Sequence, residues 1–313
     1  MINMKYVIIF LLLFQSLLPL EKDCTSGNCE NGYGTCLFPN GVRYEGNFLN
    51  SLPHGMGIMW HKNNKIYLGE FYKGHKHGRG TFVYNSTGTR SYYGEFKWGR
   101  KNGFGIMTYD STTGKEYTGY WRDNKRNGKG TMLYNITSRY EGEWLNGKRN
   151  GFGTYESETK KIKYVGVWSQ GKKEGRGTLE SLRSGKTFRF VGDFVNNRFN
   201  GHGTLEKDGE KYIGQFENNQ FEGNGTYITI DGYKYRGSFK KNKFHGRGTL
   251  INRDGSFFVG DFEDGKRNGT GTVFSRDHEL IFSGIWEKDK NIKKIEGETE
   301  EFVKKQVQQE SRF

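Results

Sequence analysis

The chain of 313 residues contains 49 lysines and arginines against 35 aspartates and glutamates, which gives a formal net charge of +14. Aromatic residues make up 16% of the chain although hydrophobic residues total only 33%, a combination that excludes intrinsic disorder and argues against a thick aliphatic core. The charge favours anionic partners such as lipid headgroups, phosphorylated glycans or nucleic acid, without choosing among them.

Residues 1–23 are predicted to form a signal or anchor segment with a leader helix. Lys5 is followed by an apolar run from Tyr6 to Leu20. This run is shorter than the roughly 20 apolar residues that span a bilayer as a helix, and a short basic end before an apolar centre is typical of a secretory leader. We favour a cleaved or lipidated leader over an uncleaved anchor, and an anchor over a buried core segment.

The three cysteines, Cys24, Cys29 and Cys36, all follow this segment. Cys24 stands where a lipoprotein leader would carry its lipidated cysteine. One interpretation therefore has Cys24 lipidated and Cys29 paired with Cys36 in a disulfide. A metal site built from the three cysteines is the weaker alternative, because no histidine or fourth cysteine stands near them.

One sequence unit then returns through almost the whole chain. Each copy has an aromatic residue, a glycine two positions later and a second aromatic residue two positions after that glycine. In ten copies a G-x-G begins nine positions after the glycine. The spacing between successive copies is 22 to 26 residues, and the glycines are Gly46, Gly69, Gly94, Gly119, Gly142, Gly166, Gly192, Gly214, Gly237, Gly260 and Gly284.

This spacing predicts one β-hairpin per unit. A period of two places the two aromatic residues and the glycine on one face of a strand. The fifth residue after the glycine is Gly or Asn in nine units, and these residues tolerate the positive φ of a two-residue type I′ turn. For the unit around Gly142, a turn at Asn146-Gly147 predicts the pairs Tyr140/Gly153, Gly142/Gly151 and Trp144/Arg149.

The glycines are predicted to leave space for aromatic rings. No helical pattern follows any G-x-G, so the dinucleotide and phosphate-loop interpretations lack their structural context. Rings that lie flat across the glycines would pack between neighbouring hairpins.

The pattern resembles the MORN repeat, and the stretch YEGEWLNGKRNGFGTY (Tyr140 to Tyr155) is close to a consensus unit. The resemblance covers Cys29 to Trp286. It implies an all-β fold, an elongated single-layer antiparallel ribbon of stacked hairpins, with about eleven repeats and a leading half-repeat in a domain at 24–290. The family's proposed roles are membrane association, phosphoinositide binding and scaffolding.

The turn end of the units, whose length does not vary, is basic. Its candidate anion-binding residues are Lys76, Arg100, Lys101, Lys125, Arg126, Lys148, Arg149, Lys172, Lys173, Lys266 and Arg267, with Arg198 and Lys243 at equivalent positions. Two interpretations stay open. The residues are solvated turn residues partly neutralised by nearby carboxylates, or they form a row that binds an extended anionic surface.

The predicted register opposes the second aromatic residue to a cation in six units and to phenylalanine in three. We therefore predict cation–π stacking in the first set and aromatic pairing in the second. The first set is Phe71/Lys76, Phe96/Lys101, Trp121/Arg126, Trp144/Arg149, Trp168/Lys173 and Phe262/Arg267, and the second is Phe194/Phe199, Phe216/Phe221 and Phe239/Phe244. The patch around Phe199, Phe221 and Phe244 is expected to be less charged and to contact a protein or the acyl region of a lipid.

No catalytic residue, cofactor or metal is expected. The carboxylates recur at equivalent repeat positions, whereas catalysis usually needs a unique constellation. His75 and His77 lack a carboxylate or cysteine at metal-binding spacing. Residues 291–313 are predicted as a capping helix or tail, in which Thr299 caps the helix and Val303 and Val307 share one face. The helix would shield the last strand edge or bind a second copy or a partner.

The sequence as a whole predicts a non-catalytic binding scaffold. The leader places it outside the cytoplasm, in association with a membrane or a bacterial cell envelope, where it would engage anionic lipid or polymer surfaces or protein partners. No nucleic-acid partner is expected. The alternative is an enzyme, or an enzyme accessory, that acts on an envelope polymer.

Overall fold

The computed structural model describes residues 22–295, apart from the side chain of Arg183, and all regular structure in this range is β-strand. The 24 strands belong to one antiparallel sheet. They are β1 Asp23–Gly27, β2 Gly32–Leu37, β3 Arg43–Leu49, β4 Leu52–His61, β5 Lys65–Tyr72, β6 His75–Val83, β7 Ser91–Lys97, β8 Arg100–Asp110, β9 Lys115–Arg122, β10 Lys125–Asn135, β11 Ser138–Leu145, β12 Lys148–Ser157, β13 Ile162–Ser169, β14 Lys172–Arg183, β15 Lys186–Val195, β16 Arg198–Lys207, β17 Glu210–Glu217, β18 Gln220–Ile228, β19 Lys234–Lys240, β20 Lys243–Ile251, β21 Phe257–Glu263, β22 Lys266–Phe274, β23 Leu280–Glu287 and β24 Lys290–Lys294.

The predicted all-β hairpin architecture is confirmed, and the predicted terminal helices lie outside the described residues. Within residues 22–295 there is no helix long and apolar enough to cross a membrane. The chain divides into two compact units. Unit 1 runs to Ile136 and includes Trp144–Gly147, and unit 2 comprises Thr137–Glu143 and the chain from Lys148.

Consecutive strands pair antiparallel within each unit, from β1 to β10 in unit 1 and from β12 to β24 in unit 2. The hairpin turns have positive φ at both central residues, as predicted. Asn146 and Gly147 have φ of 50° and 84°, and Asn196 and Asn197 have 51° and 70°. These values are those of type I′ turns.

The core lies on one face of the sheet, which we call the ring face, and consists of the repeated aromatic residues. Tyr67, for example, is fully buried and meets Phe71 of its own hairpin and Phe96 of the next hairpin edge-on, with ring centroids 5.1 and 5.2 Å apart. Such pairs contribute roughly 0.5–1.5 kcal/mol each beyond the burial of area. The edge-to-face contacts link each hairpin to its neighbour.

The predicted register is correct next to the turn and wrong beyond it. Trp168 lies opposite Lys173 as predicted, but Gly166 lies opposite Gly177, the second glycine of the G-x-G. In the unit around Gly142, a Cβ on that glycine would lie 2.5 Å from Cα of Gly153, so Gly142 faces Gly153 and not Gly151. The predicted Tyr140/Gly153 pair is wrong for the same reason.

A β-bulge causes the change of register. In β14 three residues, Glu174, Gly175 and Arg176, oppose one residue of β13, and Gly175 has the left-handed φ of 59° that such a bulge uses. The first glycine of the G-x-G is therefore a bulge residue and not a space for a ring. The prediction that this glycine leaves space for an aromatic ring is wrong.

The second glycine does provide the predicted space. A Cβ on Gly177 would lie within 2.5–2.7 Å of the Tyr164 ring and hydroxyl. The Tyr164 hydroxyl crosses the glycine pair and donates a 3.0 Å hydrogen bond to the carbonyl of Val167. Because the bulge interrupts the ladder at this point, the tyrosine satisfies a carbonyl beside the irregularity.

The cysteines differ from the prediction. Cys24 and Cys29 form a disulfide, and Cys36 is a free, fully buried thiol. Cys36 lies opposite Tyr44 on the ring face, while a Cβ on Gly34 would lie 3.0 Å from Sγ of Cys29. The first strand has no aromatic residue, so the disulfide covers the glycine that a ring covers in later hairpins. The Cys29–Cys36 pair is not formed, and lipidation of Cys24 and this disulfide exclude each other because both use the same sulfur.

Candidate binding surface

The two-residue turns, one in each hairpin, line up along one end of the hairpins within each compact unit. We call this end the turn edge. Hydrogen bonds set their order, since Gly171 N donates to Arg149 O at 2.9 Å and Asn197 N donates to Lys173 O at 3.0 Å. Asn197 also accepts from Lys173 N through Oδ1, at 2.8 Å. This second bond explains why asparagine replaces glycine at the turn. Successive turns are therefore about 10 Å apart, two strand spacings.

In five hairpins the strand that follows the turn begins with two candidate cations, and in β6 the single candidate, Lys76, takes the second position. The two positions have different surroundings. The first cation is exposed and the second is half-buried on the ring face. The exposed set is Arg100, Lys125, Lys148, Lys172 and Lys266, and the half-buried set is Lys76, Lys101, Arg126, Arg149, Lys173 and Arg267. The structure thus separates the eleven predicted residues into two groups.

The half-buried arginines hold neighbouring hairpins together. The guanidinium of Arg149 lies 3.9 Å from the Trp168 ring centroid, and its Nη2 donates to Gly171 O at 2.8 Å. In unit 1, Arg126 makes the same contacts, 4.1 Å from the Trp144 centroid and 2.7 Å from Gly147 O. Both the ring and the carbonyl belong to the next hairpin.

Cation–π stacking is therefore present, but the predicted partner ring was wrong. The direct opposition was correct for Phe71/Lys76, Phe96/Lys101, Trp121/Arg126, Trp168/Lys173 and Phe262/Arg267. The arginines nevertheless lean away from the opposed ring, because the carbonyl that accepts their hydrogen bond lies one turn further along the chain. The cations also approach the first aromatic ring of their own hairpin, as Arg149 does at 5.6 Å from the Tyr140 centroid.

The half-buried lysines are partly desolvated. Nζ of Lys101 lies 4.9 Å from the Tyr92 centroid and 4.7 Å from the Trp121 centroid. Burial lowers the pKa of Lys101 to about 8, and burial also lowers the pKa of Lys76 and Lys173. A cation that already stacks on rings and is costly to keep charged is poorly placed to meet a solvated anion.

A cation that the sequence analysis missed occupies the same position at the start of the sheet. Nζ of Lys22 lies 4.3 Å from the Phe48 centroid and donates to the carbonyls of Cys29 and Ser51. The ring and the turn carbonyl are those that an arginine meets in later hairpins. The equivalence was hidden because Lys22 precedes the first strand instead of following a turn.

The exposed cations have few bonds within the protein. Arg100 pairs with Asp123 at 3.4 Å, where both side chains are more than half exposed, and Lys172 donates to Asn196 Oδ1 at 2.8 Å. Exposed pairs of this kind contribute at most about 1 kcal/mol. In the five hairpins that have two cations, the first one is thus exposed to solvent and at most weakly bound within the protein.

In three hairpins of unit 2 a phenyl ring takes the place of the half-buried cation. Phe199, Phe221 and Phe244 stack on the first aromatic ring of their hairpins, each with centroids 3.8 Å apart. They also meet the directly opposed rings edge-on at 5.4–5.6 Å. The predicted aromatic pairing is confirmed. The closest partner, however, is the first aromatic ring of the hairpin and not the directly opposed second ring.

Two of these phenyl rings, Phe221 and Phe244, line a cleft of about 550 Å³. Its apolar wall includes Tyr227 and Phe239, while Lys207, Lys211 and Lys243 also line it. The patch is therefore less uniformly apolar than expected, since cations from both ends of the hairpins reach it.

A row of paired charges crosses the other face of unit 2, which we call the reverse face. Arg139 binds Glu156 at 3.1 Å, and Arg189 binds Glu180 at the same distance. Lys163, Glu206 and Lys211 continue the row. The sequence analysis missed it, although alternating charges on consecutive strands were a signal once the register was known. The charges of this row are therefore largely neutralised by one another.

The histidines give no sign of a metal site. His75 and His77 pack against Trp98 with ring centroids 5.7 and 5.6 Å apart. Within residues 22–295, no group of three or more histidine, cysteine, aspartate or glutamate side chains is arranged to hold a metal ion.

Comparison with known proteins gives one family. The model of the MORN repeat matches residues 30–43, 44–65, 67–89, 92–113, 117–138, 140–160, 164–181, 190–209, 212–232, 235–257 and 258–278. No curated protein matches the chain. Among solved structures, a catalytically inactive virginiamycin B lyase from Staphylococcus aureus, crystallised with quinupristin, is similar over 81% of this chain and 94% of its own, at 9% identity and a TM-score of 0.14. A likeness this weak carries no argument about fold or activity.

Proposed function

The chain belongs to the MORN-repeat family, a family of binding repeats, and from that premise we propose that it is a non-catalytic scaffold that binds anionic membrane or polymer surfaces through its turn edge. The observation that supports this most is the separation of the cations into two sets. One set holds the hairpins together on the ring face, and the other is exposed at the same position of successive turns.

The geometry of the turn edge suits an extended partner. Turn-to-turn hydrogen bonds hold neighbouring cations about 10 Å apart, close to the Debye length at physiological ionic strength. Each cation near an anionic membrane surface contributes about 1 kcal/mol. Several weak contacts at a regular spacing favour a broad charged surface over a small ligand, and they predict binding that falls steeply with salt.

We propose further that the protein is exported and associated with a membrane or cell envelope. This rests on the apolar run from Tyr6 to Leu20, which lies outside the described residues. The disulfide between Cys24 and Cys29 supports it, since such bonds persist in oxidising compartments. Membrane fractionation with mass analysis of the mature N-terminus tests the proposal. An intact N-terminus in the cytosolic fraction would contradict it.

Charge reversal at the turn edge tests the binding proposal. We expect Lys148→Glu, Lys172→Glu and Lys266→Glu together to weaken binding to phosphatidylglycerol-containing vesicles by on the order of 100-fold, from about 1 kcal/mol per cation. The matched control is Lys160→Glu, Lys186→Glu and Lys207→Glu, which changes the net charge equally at the other end of the hairpins. Cosedimentation at several salt concentrations measures both.

The outcomes separate the hypotheses. A large loss in the turn-edge variant and a small loss in the control support a localised surface. Equal losses would show that only net charge matters, and binding unchanged by either variant or by salt would overturn the proposal. Specific, salt-independent affinity for a small molecule would instead favour an enzyme or enzyme accessory acting on an envelope polymer.

A further inference from the structure

Four cations bind the carbonyl of the second residue of the next turn. The pairs are Lys22 with Ser51, Arg126 with Gly147, Arg149 with Gly171 and Arg267 with Asp289. The three arginine bonds are 2.7, 2.8 and 3.2 Å long. The sheet thus repeats a site for a guanidinium or ammonium group, which a turn carbonyl and aromatic rings form together.

The phenyl-filled hairpins keep this carbonyl but lack the cation. Asn242 N donates to Phe221 O at 3.1 Å, the same turn-to-turn bond that Arg149 O accepts. Gly265 N likewise donates to Phe244 O at 2.9 Å. Phe221 and Phe244 therefore stand where the arginines stand. A phenyl ring has no donor, and in the part of the chain that the structure describes no side chain bonds the carbonyl of Asn242 or Gly265.

These turn residues border the cleft that Phe221 and Phe244 line. Asn242 and Gly265 belong to its wall, and so does Asn219, the equivalent turn residue of the preceding hairpin. All three turn residues are exposed. The cleft therefore lies where the head group of an arginine lies in the cation-filled hairpins.

Each lysine of the cleft has a carboxylate opposite or beside it. The pairs are Lys207 opposite Glu210, Lys211 bonded to Glu206 at 3.0 Å and Lys243 bonded to Asp264 at 3.1 Å. The cleft is therefore close to neutral and does not exclude a cation. Its ring faces and turn carbonyls favour one, because both present negative charge and neither can donate a hydrogen bond.

We propose that the cleft binds arginine side chains of a partner protein. Each guanidinium donates to a turn carbonyl and lies against an aromatic ring, as Arg149 does within the chain. The turns are about 10 Å apart, two strand spacings. In the polyproline II conformation every third side chain points the same way, at intervals of about 9 Å. The partner is therefore an extended segment with arginine at every third position, a segment of the kind that aromatic-lined grooves bind.

Peptide binding to the full-length protein tests the proposal. The probe is a fluorescein-labelled peptide of three arginines separated by proline pairs, and fluorescence anisotropy measures its affinity. Phe221→Arg with Phe244→Arg fills both positions with the protein's own guanidinium groups. This variant should bind the peptide at least about tenfold more weakly, since charged hydrogen bonds and cation–π contacts are lost. Gln220→Arg with Asn224→Arg changes the charge equally, at positions where other repeats carry arginine, and should retain most of the affinity.

A second comparison needs only the unmodified protein, so it does not depend on the folding of a variant. Replacing the arginines of the peptide by citrulline keeps the shape and removes the charge, and should weaken binding at least about tenfold. Absent binding of the arginine peptide, equal affinity of the citrulline peptide, or equal losses in the two double variants would overturn the proposal. Displacement of the peptide by octyl phosphate but not by octylguanidinium would also overturn it and assign the cleft to an anionic amphiphile.

Discussion

Hairpins β13–β14 and β17–β18 have the same register but fill the same position with different chemistry. In both, the repeat glycines oppose each other and a bulge follows, and the residue after the turn opposes the second aromatic ring. Lys173 lies 5.1 Å from the Tyr164 centroid in the first hairpin, whereas the Phe221 ring stacks on Tyr212 at 3.8 Å in the second. The backbone thus creates a position above the first aromatic ring that accepts either a cation or a phenyl ring.

This difference shows that the glycines and the bulge determine the backbone conformation of the hairpin. The residue above the first aromatic ring determines how the stability of the hairpin depends on pH. A desolvated lysine makes stability depend on pH. A phenyl ring does not titrate and contributes through apolar burial. The comparison predicts equal sensitivity to changes in the glycines and unequal sensitivity to changes at the variable position.

The largest effect is expected at the second glycine of the G-x-G. Gly177→Ala and Gly225→Ala each place a methyl group within 2.7 Å of a buried tyrosine, Tyr164 or Tyr212. We expect each to lower the free energy of unfolding by about 3 kcal/mol, the upper end of overpacking effects. Urea unfolding measures both losses, and a difference above about 2 kcal/mol between them would break the comparison.

A control near Gly177 separates packing from backbone conformation. Gly175 has φ of 59°, and a Cβ there meets only Val167 at 3.7 Å or more. Gly175→Asn should cost about 1 kcal/mol or less, because asparagine adopts the left-handed conformation. An equal loss at both glycines would show that strain, and not the ring, determines the effect at Gly177.

Substitutions at the position above the first aromatic ring should have different effects on stability in the two hairpins. Phe221→Ala removes a half-buried ring stacked on Tyr212 and should cost about 2 kcal/mol independently of salt. Lys173→Ala removes a cation near Tyr164 and should cost about 0.5–1 kcal/mol. Lys173→Phe copies the residue of the second hairpin into the first. It should recover the thermal stability that Lys173→Ala loses. A larger loss for Lys173→Phe than for Lys173→Ala would show that the position is not shared.

The sequence predicted the hairpins, the turns and the residue opposite the second aromatic ring, because period and turn chemistry are local properties. The register beyond Gly166 was not predictable in the same way. A bulge that adds residues to one strand leaves the spacing of the glycines unchanged, so both registers fit the pattern. The predicted register, which opposes Gly142 to Gly151 and Tyr140 to Gly153, assumes a ladder without a bulge and is incorrect.

The candidate site shows the same limit. Sequence spacing located the cations at the turns but did not distinguish exposed Lys172 from half-buried Lys173, since their surroundings depend on the next hairpin. The disulfide between Cys24 and Cys29 depends on a tertiary feature, the uncovered glycine at Gly34.

The smallest expected effect is a pH dependence confined to the cation-filled hairpins. Burial lowers the pKa of Lys101 from 10.5 to about 8 in the folded protein. Between these values the unfolded chain binds more protons, so the free energy of unfolding rises with pH. The slope stays well below the ~1.4 kcal/mol per pH unit of a full proton, because solvent screens the partly buried amine. Below about pH 8 lysine is protonated in both states and this slope disappears. Above about pH 10 the trend reverses, because burial raises the pKa of tyrosines such as Tyr92 and their ionisation favours the unfolded chain.

Unfolding by urea between about pH 8 and 9.5 isolates this contribution. Lys101→Met should reduce the slope, and Lys125→Met, which removes an exposed cation after the next turn, should leave it unchanged. Lys76 and Lys173 shift in the same direction, so part of the slope should persist in Lys101→Met. Identical slopes in the wild type and Lys101→Met would mean that the lysine is hydrated in the folded protein, and the distinction between a titrating and a non-titrating hairpin would then be lost.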